Sequence, residues 1–256
     1  MHPPESKYVE SKAYLARIER EGFFGLRDSW ARQATESLPE DEWLRRVKER
    51  FSKYVPFLTR ECGVEFRGRI LEIGAGGAWF SAELSKLPRV VAVIATDPCP
   101  QPLQQYAPTV FKLLNAQADK ITRMPVDFHH LDFAAHHFDY VVCASVLHRA
   151  ANIVQVLREA KRVLKPGGQL VAIREPVWPA MRMKSRARML AKLIATGVNE
   201  RFYTLSDYRE FFKQAALPMH ARHVNLSRGF RYYVNSMVNG LTHARYAFIG
   251  TRRGRS

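Results

Sequence analysis

Three acidic residues stand at the ends of apolar runs. Glu72 lies within Arg69-Ile-Leu-Glu-Ile73, Asp97 closes Val90-Val-Ala-Val-Ile-Ala-Thr96, and Asp127 follows Ile121 to Val126. Gly74, Gly76 and Gly77 come directly after the first run, and Trp79 to Lys86 then reads as a helix. A strand, a glycine turn and a helix start make a nucleotide-type ligand site. Glycine lets the backbone approach a ligand closely, and the helix start presents free N–H groups. A carboxylate at a strand tip can accept hydrogen bonds from a ribose diol. Asp97 lies 25 residues after Glu72, close to the ~20-residue offset of a ribose-binding acid. Asp97-Pro98 is also a plausible turn start, so a purely structural role stays open. Asp127 can accept from a ring amino group, with Phe128 covering the ring face. His148 follows the run Phe138 to Ala144. A histidine there can take a proton from a hydroxyl or ammonium nucleophile, or it can simply pack against a helix. Cys143 reads as packing beside the ligand, not as a nucleophile.

The glycine pattern separates two ligand classes. Gly74 and Gly76 fit the start of G-x-G-x-x-G, but Trp79 occupies its sixth position, where a dinucleotide site needs glycine for close helix–strand packing. Glu72, Gly74 and Gly76 fit E-x-G-x-G, which resembles the first motif of the class I S-adenosylmethionine-dependent methyltransferases. Phe138-Asp-Tyr-Val-Val-Cys-Ala-Ser-Val-Leu-His148 resembles the fourth motif of their small-molecule members. Arg162-Val-Leu-Lys-Pro-Gly-Gly-Gln-Leu170 resembles their helix-to-strand junction. The resemblance covers residues 65–175 well and 200–252 loosely, and it departs at Ala216, where glycine is usual. It implies S-adenosyl-L-methionine as cofactor and S-adenosyl-L-homocysteine as product. It also implies site roles: Glu72, Gly74, Ala75 and Gly76 at the methionine end, Asp97 and Pro98 at the ribose, and Asp127 and Phe128 at the adenine. Cys143 and Ala144 would lie beside the cofactor, with His148 as the catalytic candidate. Neither Asn/Asp-Pro-Pro-Tyr nor Pro-Cys stands at the fourth motif, which argues against nucleobase methylation.

These residues need a scaffold that brings successive strand ends to one edge. The strand–helix units from 69 to 175 imply a parallel sheet covered on both faces. The expected architecture is α/β: a doubly wound, mostly parallel seven-stranded sheet with its last strand antiparallel. An N-terminal helical addition would span 1–66, the Rossmann-like domain 67–256, and a helical cap insertion 180–215 after the fifth strand. Tyr8 to Glu21 and Asp41 to Tyr54 show helical apolar spacing. That segment reads either as packing or as a lid presenting Tyr8, Phe23, Phe24 or Trp30 to substrate. Glu175, at the end of the fifth strand, either orients substrate or pairs with Arg174. Thr204 and Asp207 predict a capping box before a helix leading to the final strand pair.

Composition bounds the rest. The 256 residues are 46% apolar, enough for a sizeable core. Cys62, Cys99 and Cys143 are widely spaced, as in neither a disulfide framework nor a zinc site. His129, His130, His136 and His137 lie in one loop without the i,i+4 spacing of helical ligands, so no metal is expected. The N-terminus lacks a signal-peptide core, and a cytoplasmic protein is expected. The net charge is +16, and residues 176–256 hold 15 basic against 3 acidic groups. A basic amphipathic segment at 180–196 and arginines among aromatics at 227–240 add to that end. Such a balance suits an anionic or glycosylated small-molecule acceptor, with oxygen as the expected acceptor atom. It also leaves open an RNA or lipid head-group methyltransferase acting at a nucleic-acid or membrane surface, and a non-catalytic nucleoside-binding homologue. The sequence leaves the oligomeric state undefined.

Overall fold

The computed structural model describes residues 6–10, 40–178, 201–227, 230, 234 and 244–254. The expected helical stretches at 11–21 and 180–196, the aromatic residues Phe23, Phe24 and Trp30, and most of 228–243 lie outside them. Among the described residues the chain begins with β1 (Lys7–Tyr8), α1 (Glu40–Arg50), a 3-10 turn at Phe51–Lys53 and α2 (Tyr54–Glu61). Next come β2 (Gly68–Ile73), α3 (Trp79–Ser85), β3 (Val90–Asp97), a wide turn at Pro102–Tyr106 and α4 (Ala107–Leu113). Then follow β4 (Ile121–Pro125), β5 (Phe138–Ala144), a 3-10 turn at Leu147–Arg149, α5 (Ile153–Val163) and β6 (Leu164–Val177). The chain closes with α6 (Leu205–Gln214), β7 (Met219–His223) and β8 (Ala244–Thr251).

The strands form one sheet in the order β1-β4-β3-β2-β5-β6-β8-β7. Pairings from β1 to β6 are parallel, and β8 runs antiparallel to both neighbours. This is the expected doubly wound α/β sheet with its last strand antiparallel. Among the described residues it has eight strands instead of seven. The extra one, β1, is only two residues long and gives no alternation to read. It joins the edge through Lys7–Thr122 and Tyr8–Arg123 pairing, so Tyr8 is in a strand and not in the expected helix.

Each face of the sheet carries its own core. Val47, Tyr54, Leu58, Phe80, Leu84 and Val110 pack on one side. Leu157, Val163, Tyr208, Phe212 and Phe248 pack on the other. Full burial of such a side chain stabilises by roughly 1.5–3 kcal/mol. The amphipathic period of α5 puts Ile153, Val156, Leu157, Ala160 and Val163 on its buried face, and the Asn152 side chain caps its first turn. Thr204 and Asp207 form the expected capping box at α6.

Two element boundaries differ from the pattern. The expected helix over 41–54 is interrupted at Phe51–Lys53 and restarts as α2. Pro56 has no N–H to continue the ladder, and it fits only the first turn of a new helix. The fifth strand was expected at 169–173 but extends over Leu164–Val177, with register slips beside Phe138 and between Ala172 and Glu175. Its early part is held by the end of the chain: Gly167 N–H donates to the Arg252 carbonyl, and Arg252 N–H donates to that of Gly168.

Candidate active site

The glycine turn lies between β2 and α3, at the C-terminal edge of the sheet. Gly74 has φ +64°, and a Cβ there would sit 2.6 Å from Val146 Cγ2. Glycine is therefore required for the loop after β5 to close on the turn. Gly76 also has a positive φ, +52°, but a Cβ on it would meet nothing within 4 Å. The backbone there borders open space, as close approach by a ligand demands.

The acids of the first two strands secure this turn. Glu72 is buried, and its Oε2 accepts from Ser81 N–H at 2.8 Å and from the Ser81 hydroxyl, tying β2 to the first turn of α3. Burial outweighs those bonds and pushes its carboxyl up to about 8. Asp97, at the tip of β3, accepts from Gly76 N–H at 2.7 Å through Oδ2 and from Cys99 N–H at 2.7 Å through Oδ1. Burial raises it to about 6, against the pull of those two amides and the charge of Arg149. The second acidic strand end therefore grips the glycine turn of the first. Ala75 N–H donates to the Thr96 carbonyl at 2.8 Å, and Pro98 follows directly at the same edge.

Asp127 lies beyond β4. Its Oδ1 meets both the backbone N–H and the Nδ1 of His129 at 2.9 Å. Burial would raise its carboxyl, but the His129 bonds and the nearby histidine charges hold it below its ordinary range. Phe128 is buried, with its ring 4.9 Å from that of His129. Cys143 is wholly buried in the core, and burial drives its thiol well above its ordinary value, as suits packing and not attack. Ala144 ends β5 next to it, partly exposed. The loop histidines separate: His129 turns to Asp127, His136 to Arg252, and His137 to Arg69. Among the described residues no group of three potential ligands converges on a metal position.

His148 sits in the 3-10 turn after β5, two residues past the Val146 that closes on Gly74. Its Nδ1 lies 2.9 Å from Glu175 Oε2, and both side chains are buried. Glu175 Oε1 accepts from Val146 N–H at 2.7 Å and Leu147 N–H at 3.0 Å. Its Oε2 also receives His148 N–H at 3.2 Å and the Tyr208 hydroxyl at 3.4 Å. Burial raises a carboxylate, but the His148 bond, the His148 charge and the amides prevail, and Glu175 is held below its usual range. An ionised carboxylate only accepts, so Nδ1 of His148 carries a proton in either charge state, and the neutral ring would keep its lone pair at Nε2. Glu175 therefore partners His148 and not its neighbour Arg174. The sequence had offered Glu175 only as a substrate contact or an arginine partner. Its glutamate at a strand end was visible, but a partner 27 residues away was not.

A doubly wound sheet with a glycine turn, a strand-tip acid gripping it, and a histidine–carboxylate pair at the same edge defines the class. The chain has the fold of the class I, Rossmann-like, S-adenosylmethionine-dependent methyltransferases. Residues 71–172 match the family model described as "Methyltransferase domain". Curated relatives include a polyketide synthase–nonribosomal peptide synthetase of Pyricularia grisea, 29% identical over 127 residues, or 48% of this chain and 3% of that protein. The polyketide synthase component of lovastatin nonaketide synthase from Aspergillus terreus is 29% identical over 110 residues, or 41% of this chain and 4% of that one. The chain thus spans only about 3% of the length of the first curated relatives it matches.

Among solved structures, phosphoethanolamine N-methyltransferase 2 of Haemonchus contortus, bound to phosphomonomethylethanolamine and S-adenosylhomocysteine, superposes with a TM-score of 0.67. The match has 12% identity and covers 90% of this chain and 61% of that one. A geranyl diphosphate methyltransferase bound to its diphosphate and sinefungin gives 0.59 at 13% identity, covering 78% and 77%. At these identities the likeness is one of fold. The cofactor of the domain is S-adenosylmethionine, and the open backbone at Gly76 beside Asp97 fits it. Among the described residues no helix is long and apolar enough to cross a membrane.

Proposed function

We propose that this protein methylates a small-molecule acceptor at oxygen, with His148 removing the acceptor's proton. The observation that carries this reading is the buried His148–Glu175 pair on the loop that closes against the glycine turn. In the proposed site, Glu72 and Gly74, Ala75 and Gly76 define the methionine end. Asp97 with Pro98 serves the ribose, Asp127 with Phe128 the adenine, and Ala144 lines the floor with Cys143 packed beneath it. The cofactor supplies an electrophilic methyl group on a sulfonium. What the chain supplies is alignment, exclusion of water and one proton acceptor. His148 Nε2 would take the hydroxyl proton of the acceptor oxygen as that oxygen is methylated, and Glu175 would stabilise the resulting imidazolium.

The same proposal takes residues 1–66 as an N-terminal addition, as packing or as a lid, and 67–256 as the catalytic domain with a cap inserted after β6; of the 180–215 expected as that cap, α6 packs in the core through Tyr208 and Phe212. The test is release of S-adenosylhomocysteine by the purified chain across hydroxylated acceptors, after mass spectrometry for co-purified nucleoside. Turnover that survives His148→Ala at the wild-type rate would remove the assigned base. A second reading replaces oxygen with a carbon acid, and it is favoured by the polyketide synthases among the relatives. The same histidine would then take a C–H proton activated by a neighbouring carbonyl. Carbon-13 NMR of product made with labelled methyl separates an O-methyl from a C-methyl signal.

A further inference from the structure

Arg174 stands one residue before Glu175, at the C-terminal end of β6, yet its contacts lie on the opposite face of the sheet. Its backbone is left-handed, with φ +64°, and the β6–β8 register slips between Ala172 and Glu175. A bulge of this kind re-aims side chains at functional edges and holds strain that an ordinary strand residue avoids. Glu175 goes to His148 and Tyr208. The Arg174 guanidinium goes instead to an aromatic wall, 4.3 Å from the Phe51 ring centroid and 5.5 Å from that of Tyr54. Phe51 and Tyr54 in turn pack on Trp79, with centroids 4.7 and 5.7 Å away, and Trp79 opens the helix after the glycine turn.

No carboxylate among the described residues forms an ion pair with this guanidinium, and its buried Nε has no hydrogen-bond partner. Glu175, the adjacent acid, is already engaged by Val146, Leu147, His148 and Tyr208. Two further cations act on the spot. Arg245 Nη1 lies 3.5 Å from the Arg174 carbonyl oxygen, and the charge of Arg149 reaches both Arg174 and Asp97. Burial is the main cause that brings Arg174 down to about 10; Tyr54, next in size, opposes it, Arg245 adds to it, Glu175 opposes it, and Arg149 adds least. A largely desolvated cation beside two like charges is unfavourable unless an anion joins them. Aromatic faces hold a guanidinium in place while leaving its edge free for a forked contact.

We infer that Arg174, with Arg149 and Arg245 beside it, is the anion seat of this site and takes a carboxylate or phosphate group of a bound ligand. The inference deepens the methyl-transfer reading and rests on it for the ligand's identity. One source of the anion is the acceptor; the other source of the same chemistry is the carboxylate at the methionine end of the cofactor.

The experiment compares the full-length wild type with Arg174→Met, which can still pack on Phe51, and with Arg174→Lys. Calorimetry at constant ionic strength uses four probes: S-adenosylhomocysteine, methylthioadenosine (the same nucleoside thioether without the amino-acid carboxylate), inorganic phosphate and butyrate. The two simple anions are titrated into both ligand-free and homocysteine-conjugate-loaded protein. If the acceptor supplies the anion, R174M weakens phosphate or butyrate binding about tenfold or more and leaves S-adenosylhomocysteine within about twofold. If the cofactor supplies it, R174M weakens S-adenosylhomocysteine about tenfold and leaves methylthioadenosine unchanged. R174K should fall between in either case, and it carries the test alone if R174M fails to fold. Wild-type affinity of the folded variants for all four probes would overturn the anion seat. A wild type that binds neither nucleoside counts against the methyl-transfer reading, while the simple anions still decide the role of Arg174.

Discussion

Replacing Glu175 by glutamine exchanges one carboxylate oxygen for an NH2 group and changes little else in shape. The carboxylate receives Val146 and Leu147 N–H on one oxygen, and His148 N–H, His148 Nδ1 and the Tyr208 hydroxyl on the other. An amide has a single acceptor oxygen. If that oxygen faces Val146 and Leu147, the NH2 opposes Nδ1–H of His148. The imidazole must then move its proton to Nε2 and ceases to be a base. If it faces His148, two buried amides lose their partner, at about 1–3 kcal/mol each. Either outcome leaves donors unmet, and the less costly first one sets an expected loss of about 1–3 kcal/mol, or a fall in Tm of roughly 2–12 °C for a chain of this size. Turnover should fall by about 10²–10⁴, the usual worth of a positioned base, while S-adenosylhomocysteine affinity stays near wild type. His148→Ala should fall to a similar level. The double variant should fall no further, because Glu175 acts through His148 as a positioning residue. S-adenosylhomocysteine release for the four proteins, with calorimetric Kd as the control, checks this. Losses that multiply in the double variant, or an active E175Q, would refute the coupling.

Other expected outcomes are more local. Asp97→Ala removes the acceptor of Gly76 and Cys99 N–H. Cofactor affinity by calorimetry should drop by about tenfold or more, with the fold retained by circular dichroism. Gly74→Ala forces a methyl group to 2.6 Å from Val146 Cγ2 at a left-handed residue. Denaturant unfolding should show a loss of about 1–3 kcal/mol, whereas Gly76→Ala, with open space around it, should weaken cofactor binding more than stability. Glu72, raised from 4.5 to about 8, contributes stability that is complete below the unfolded value and lost as pH rises through about 8. Asp97 follows the same sign from 3.8 to about 6, so the interval from about 6 to 8 isolates Glu72. Across it, the wild type should lose up to about 2–3 kcal/mol relative to Glu72→Gln. Parallel pH profiles of urea unfolding for the two proteins would refute that assignment.

The readable part of the molecule was the part built from uninterrupted local patterns. Val90 to Thr96 is apolar and rich in β-branched residues, so a doubly covered strand ending at Asp97 followed directly. Thr204 and Asp207 spelled a helix start. What escaped depended on distant partners or broken periodicity. Lys7–Tyr8 is too short to alternate and becomes a strand only because β4 offers an edge. Pro56 divides what looked like one amphipathic helix. At Arg174 and Glu175 a strand reading predicts simple alternation, but the slip in register and the left-handed Arg174 send one side chain to Phe51 and the other to His148. The fold alone also leaves the reaction open. The buried histidine and its carboxylate therefore bear more on chemistry than the sheet does.

The short strand at residues 7 and 8 has a bearing on how the protein can be handled. Val9 N–H donates to the Arg123 carbonyl, and Arg123 reaches back to the Ser6 carbonyl and lies 5.8 Å from the Tyr8 ring centroid. Trimming the leader through Glu10 would strip this selvedge from the sheet. Ile121 to Pro125 would then expose a fresh ladder to any extended peptide, including another copy of itself. Preparations shortened at that end should be watched for clumping before any loss of turnover is blamed on the catalytic groups.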